Sequence, residues 1–176
     1  GISYTLLGLL VLINFCTQLG VDLIFSFFSH KFNISMAVKM TPFLTVIGLG
    51  TYAMSPFIFP NNVYVGLVIG TVIFSAASGF SEVLISPVIA AIPSDDPDRE
   101  MSTLHSVYAW GVVPVILIST LFLYVFGSQS WHWLALLYML VPLVAFLLFT
   151  KAQIPQMETP EKVSGALSFL KNKGLW

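Results

Sequence analysis

The chain is 176 residues long, 57% hydrophobic, 14% aromatic and only 9% charged, with seven Lys and Arg against eight Asp and Glu for a formal net charge of −1. A soluble domain carries about 25% charged residues, so this composition excludes one; it also excludes disorder and lacks the basic footprint of a nucleic-acid binder. A single cysteine, Cys16, leaves no disulfide framework and no thiolate metal site, and an integral membrane protein is what remains.

The few charges cluster, and the gaps between clusters have the length of membrane helices. About 20 apolar residues cross a ~30 Å hydrocarbon core at ~1.5 Å each. Spans are predicted at about 5–29, 39–59, 63–92, 100–127 and 132–150, which makes residues 1–150 an all-α polytopic membrane bundle. The breaks are His30-Lys31-Phe32-Asn33, Pro60-Asn61-Asn62, Pro93-Ser94-Asp95-Asp96-Pro97 and Gly127-Ser128-Gln129-Ser130. No alternating ten-residue segments of a membrane barrel occur.

With five spans, one side of the membrane holds 30–39, 93–99 and 151–176. That side carries Lys31, Lys39, Arg99, Lys151, Lys162, Lys171 and Lys173, all seven basic residues of the chain. The positive-inside rule makes it cytoplasmic, so the N-terminus of the chain faces outwards and its C-terminus inwards. Trp131 and Trp133 then mark the outer interface.

The chain opens on Gly1 without a signal-peptide n-region and closes on Gly174-Leu175-Trp176 as an apolar stretch begins. The expectation is a piece of a longer protein, with a span before Gly1 and more after Trp176; a natural five-span protein is the alternative. Residues 151–176 read as a cytoplasmic linker. Thr159-Pro160-Glu161 has the form of a helix start, and Val163, Ala166, Leu167 and Leu170 share one face of an amphipathic surface helix. A solvated linker between bundles fits equally well.

Ionisable groups at membrane depth mark functional sites by default, and the spans contain Asp22, Glu82 and His105. Glu82 lies eleven residues before Pro93, about 16 Å along a helix and near the middle of the slab. Ser75, Ser78, Glu82 and Ser86 recur at three- and four-residue spacing as one polar stripe, and Pro87 should bend the helix just beyond it. A carboxyl group there is a candidate proton carrier, or a hydrogen-bonded acid that joins helices. His105 is expected about one turn into the fourth span with Tyr108 on its face, and Trp110 adds aromatic surface suited to sugar rings. A histidine bonded near the cytoplasmic interface is the alternative for His105. Asp22 is expected to organise the cytoplasmic side by pairing with Lys31, Lys39 or Arg99. Gly66 and Gly70 form a GxxxG that lets helices approach closely, and Gly111, Pro114 and Pro142 mark bends. Bent helices around a buried carboxylate suit a secondary transporter.

The stretch Gly79-Phe80-Ser81-Glu82-Val83-Leu84-Ile85-Ser86-Pro87, followed by Met101-Ser102-Thr103-Leu104-His105-Ser106-Val107-Tyr108-Ala109-Trp110-Gly111, resembles the major facilitator superfamily, and within it the fucose–galactose–proton symporter (fucose permease) group. Residues 1–29 resemble helix 2 of those proteins, through Gly1-Ile2-Ser3 and Leu12-Ile13-Asn14-Phe15 with Thr17-Gln18-Leu19. The resemblance implies helices 2–6 of an N-terminal half that works by alternating access in a bacterial inner membrane. It implies a carbohydrate as substrate, a proton gradient rather than a cofactor, and helix 1 and the C-terminal bundle as the missing partners. Glu82 matches the helix-4 glutamate of proton coupling, and His105 and Tyr108 match polar helix-5 positions, so that Ser78, Ser86 and Trp110 join them in the expected substrate cavity. Ser86 stands where the family has the Asn of Asn-Pro, and the basic helix 2–3 signature is reduced to Ser29-His30-Lys31-Phe32-Asn33. The helix-1 aspartate of the family has no counterpart here, since Asp22 lies on helix 2.

Two other classes are weighed against transport. Ala77-Ser78-Gly79 with His105 as base would suit an intramembrane serine hydrolase, although Ser78 sits in an unbroken apolar helix. A non-transporting packing or assembly module is the third.

Overall fold

Residues 2–154 are described by the computed structural model. They form five long helices, α1 (Tyr4–Phe28), α2 (Ile34–Ile58), α3 (Val63–Ala90), α4 (Pro97–Phe126) and α5 (Trp131–Lys151), with short 3-10 turns at Ser29–Lys31 and Ser128–Ser130. All five are long and apolar enough to cross a membrane. The described residues are an all-α helical bundle without a strand. The expected amphipathic segment at 159–173 lies outside the described residues.

Three of the five long helices, α1, α2 and α4, start at side chains that satisfy orphan N–H groups. Ser3 Oγ accepts from the Leu6 N–H at 3.3 Å, Asn33 Oδ1 from Met36 at 3.0 Å, and Asp96 Oδ1 from Arg99 at 3.1 Å. These caps correct two predicted boundaries. The second helix begins at Ile34 rather than 39, because Asn33 is its cap and Lys39 stands inside its second turn. A lysine there keeps its ammonium at the interface by snorkelling, so its charge does not mark the helix edge. The fourth begins at Pro97 rather than 100, with Asp96 capping and Pro97 in the first position. The third ends at Ala90, two residues before the predicted limit, and runs on through Pro87.

The bundle is held by close backbone approach. A Cβ on Gly70 would lie 2.6 Å from the Tyr52 nitrogen, one on Gly66 2.5 Å from Ser55 Cβ, and one on Gly48 2.5 Å from the Phe74 nitrogen. The Gly66/Gly70 pair therefore faces α2, as GxxxG spacing allows. Gly79, further along α3, faces α1 instead: its Cβ would lie 3.1 Å from Val21 Cβ. At the loop end of these helices Phe25, Val38 and Leu84 form a buried cluster, with Phe32 packed 5.8 Å from Phe25 and 5.9 Å from Phe80. At the opposite end Trp131 packs edge-on to Tyr52 at 5.6 Å and joins α5 to α2. Helix α4 stands apart, since none of its 30 residues is buried. Its tie to α5 is Tyr138, whose hydroxyl donates to the Val115 carbonyl at 2.8 Å and meets Ser119 Oγ at 2.7 Å.

Candidate functional site

Glu82 is the eighth residue before the end of α3, and His105 the eighth after the start of α4. The two helices run in opposite directions from one loop, so equal offsets bring both side chains to one level, about 12 Å from the helix ends at ~1.5 Å per residue. Both depths correct the sequence reading. Glu82 lies about 12 Å rather than about 16 Å from the loop end, still on the loop side of the helix midpoint, and His105 is two turns in rather than one, because α3 ends and α4 begins earlier than predicted.

At that level the chain forms a cavity of about 260 Å³, whose lining includes Gln18 of α1, Ser78, Glu82 and Ser86 of α3, and His105 and Tyr108 of α4. Of the expected cavity residues, the structure thus brings together Ser78, Ser86, His105 and Tyr108 around Glu82. Ser81, Ile85 and Leu104 complete the wall. The two α3 residues sit three positions after Ser78 and Glu82, so helical geometry places them beside the polar stripe. Ser78 and His105 share the cavity, yet no hydrogen bond joins them among the described residues.

Three expectations are corrected here. Trp110 does not line the cavity and is 75% exposed. It follows Tyr108 by two residues, about 200° around a helix, and so points away from it. Ser75 leaves the predicted stripe: it is fully buried, and its hydroxyl donates to Asn14 Oδ1 of α1 at 2.6 Å. Asp22 forms no ion pair with Lys31, Lys39 or Arg99. Its Oδ1 is buried without a hydrogen-bond partner among the described residues, while Lys31 lies over the Phe28 ring at 5.2 Å. The reason is geometric, since Asp22 is held along α1 six residues before its end and Arg99 rides on the loosely packed α4.

A second, larger cavity of about 550 Å³ opens among α1, α2, α3 and α5, and Leu10, Asn14, Tyr52, Phe74, Trp131 and Tyr138 are part of its wall. It is apolar apart from a few hydroxyl and amide groups and holds no ionisable carboxylate, amine or imidazole. The chemistry therefore concentrates in the smaller cavity. Asn14 and Gln18 sit between the two, with Gln18 Nε2 donating to Asn14 Oδ1 at 3.4 Å. Sequence reasoning missed this pair because its partner Ser75 is 61 residues away; the only signal was two amides one turn apart in an apolar span. Among the described residues no three His, Cys, Asp or Glu side chains come together as a metal site needs.

The chain was compared with protein-family models, with curated proteins and with solved structures, and nothing matches it in any of the three. The fold and the site thus define a class only: among the described residues, an all-helical bundle of helices long and apolar enough to cross a membrane, with a carboxylate-bearing polar cavity.

Proposed function

We propose that this chain is part of a secondary active transporter of the major facilitator type, similar to the fucose permease group, which takes up a hydroxylated small molecule with protons by alternating access. One observation carries the reading. Glu82, a carboxyl group inside an apolar helix, shares a cavity with Ser78, Ser81, Ser86, Gln18, His105 and Tyr108, which come from three helices. Carboxylates at membrane depth serve ion and substrate pathways, and hydroxyl, amide and imidazole groups match the donors and acceptors of a sugar. In this reading Glu82 is the proton-coupling residue, and Ser78, Ser86, His105 and Tyr108 contact substrate.

Lys31, Lys39, Arg99 and Lys151 fall at one set of helix ends, which supports a cytoplasmic location for that side. The membrane is then a bacterial inner membrane, with α1 starting outside. Helix 1 and the C-terminal bundle of the same transporter cover α4 and close the larger cavity. The bare surface of α4 supports such partners, as does the smaller cavity beside it, walled by Leu104, His105 and Tyr108.

The test uses full-length protein in proteoliposomes with an imposed proton gradient and labelled D-galactose and L-fucose. Glu82→Gln keeps the shape and removes the titratable group. The expected result is loss of uphill accumulation with retained exchange down a gradient. Accumulation at the parent level in Glu82→Gln would overturn the coupling role.

A further inference from the structure

We infer that Gln18, held by Asn14 and Ser75, is a substrate-binding residue of the Glu82 cavity that sets its affinity for hydroxyl-bearing solutes; the inference rests on the transport reading above. The Ser75 hydroxyl donates to Asn14 Oδ1 at 2.6 Å, and Gln18 Nε2 meets the same atom at 3.4 Å. Both donors converge on the Asn14 carbonyl oxygen, which turns the Gln18 amide nitrogen towards Asn14. Ser75 is fully buried, which makes it a fixed post on α3 for two amides on α1.

This arrangement leaves the Gln18 carbonyl oxygen without a hydrogen bond from the described residues. That oxygen is not among the buried unpartnered atoms, which are Asp22 Oδ1 and Ser55 Oγ. It is therefore open to the cavity that Gln18 lines. Gly79 secures the distance: its missing side chain admits the α1 backbone, and a Cβ there would lie 3.2 Å from the Gln18 carbonyl oxygen of the main chain. The cavity thus gains a fixed neutral acceptor on the wall contributed by α1, while Glu82 and the serines occupy α3. A sugar hydroxyl that donates to Gln18 is favoured over an analogue that lacks it, because a site built to bind a hydroxyl loses a partner when none arrives.

The experiment is initial-rate uptake of D-galactose and L-fucose by reconstituted full-length protein, with thermal stability measured in detergent alongside. Gln18→Leu is expected to raise KM about tenfold with kcat within about threefold of the parent, the size of one or two lost neutral hydrogen bonds. Ser75→Ala is expected to raise KM about threefold and to add little on top of Gln18→Leu, since both act through one network. If Gln18→Leu does not reach the membrane, Gln18→Met carries the same expectation. An unchanged KM in Gln18→Leu, with Glu82→Gln still unable to accumulate sugar, overturns this inference and leaves the transport reading standing. Parallel loss of kcat, KM and stability makes Gln18 a structural pin and overturns it as well. If the parent protein carries neither sugar, the transport reading falls and this inference falls with it.

Discussion

Helices α3 and α4 are joined by one short loop and are both long and apolar, yet they are held in opposite ways. Helix α3 buries eight residues, and six of them, Gly66, Gly70, Thr71, Ser75, Ala77 and Gly79, are no larger than threonine, the exceptions being Leu67 and Leu84. Helix α4 has one glycine, Gly111, against the three of α3, and buries none of its thirty residues. Within a membrane the hydrophobic effect does not drive helices together, because lipid is as apolar as leucine; close packing and hydrogen bonds do. The difference teaches that small side chains, rather than apolar ones, decide which helices of this chain pack. The cavity around Glu82 lies where the tight helix faces the loose one.

Substitutions can break this contrast, beginning with the severest. Gly70→Leu should prevent stable packing of α3 on α2, with a loss of about 3 kcal/mol or more, since a Cβ there already meets the Tyr52 backbone at 2.6 Å. Thermal unfolding followed by size-exclusion chromatography in detergent would measure it, and a parent-like melting temperature would refute the glycine seam. Leu84→Ala, in the cluster with Phe25 and Val38, should destabilise by about 2 kcal/mol through its cavity. Tyr138→Phe removes the hydroxyl that reaches Val115 and Ser119, and should cost about 1 kcal/mol and speed amide hydrogen exchange along α4 without affecting α3. Leu117→Ala, at a residue 64% exposed on α4, should fall within about 0.5 kcal/mol of the parent in the 176-residue chain without its proposed partners. A large loss there would mean that α4 is packed after all.

The same contrast explains which parts were legible beforehand. The five helices were readable because length and apolarity are local properties, and the starts of α2 and α4 shifted where capping side chains overruled a count of charges, at Asn33 and Asp96. The Glu82, Ser78 and Ser86 grouping was legible from helical spacing along a single helix. Ser75 was not separable from it, because its turn towards α1 depends on Asn14, a residue on another helix. Trp110 was grouped with Tyr108 by closeness in sequence, which helical rotation undoes. The ion pair expected for Asp22 followed from charge alone and failed because α1 holds that residue away from the basic loops.

The sequence by itself determined the class of protein: a chain with 9% charge and five long apolar segments, without the alternation of a barrel, satisfies its backbone in lipid as helices. It also determined that Glu82 would be exceptional, since Asp22 and Glu82 are the two acids that fall inside the spans beyond the helix start at Glu100. Tertiary structure alone decided that Glu82 and His105 stand level across the α3–α4 turn, that Gln18 joins them from α1, and that Ser75 pins the amides in place. Those relations depend on helix ends, rotation and the glycine contacts between helices, and none of these can be computed from one segment without its neighbours.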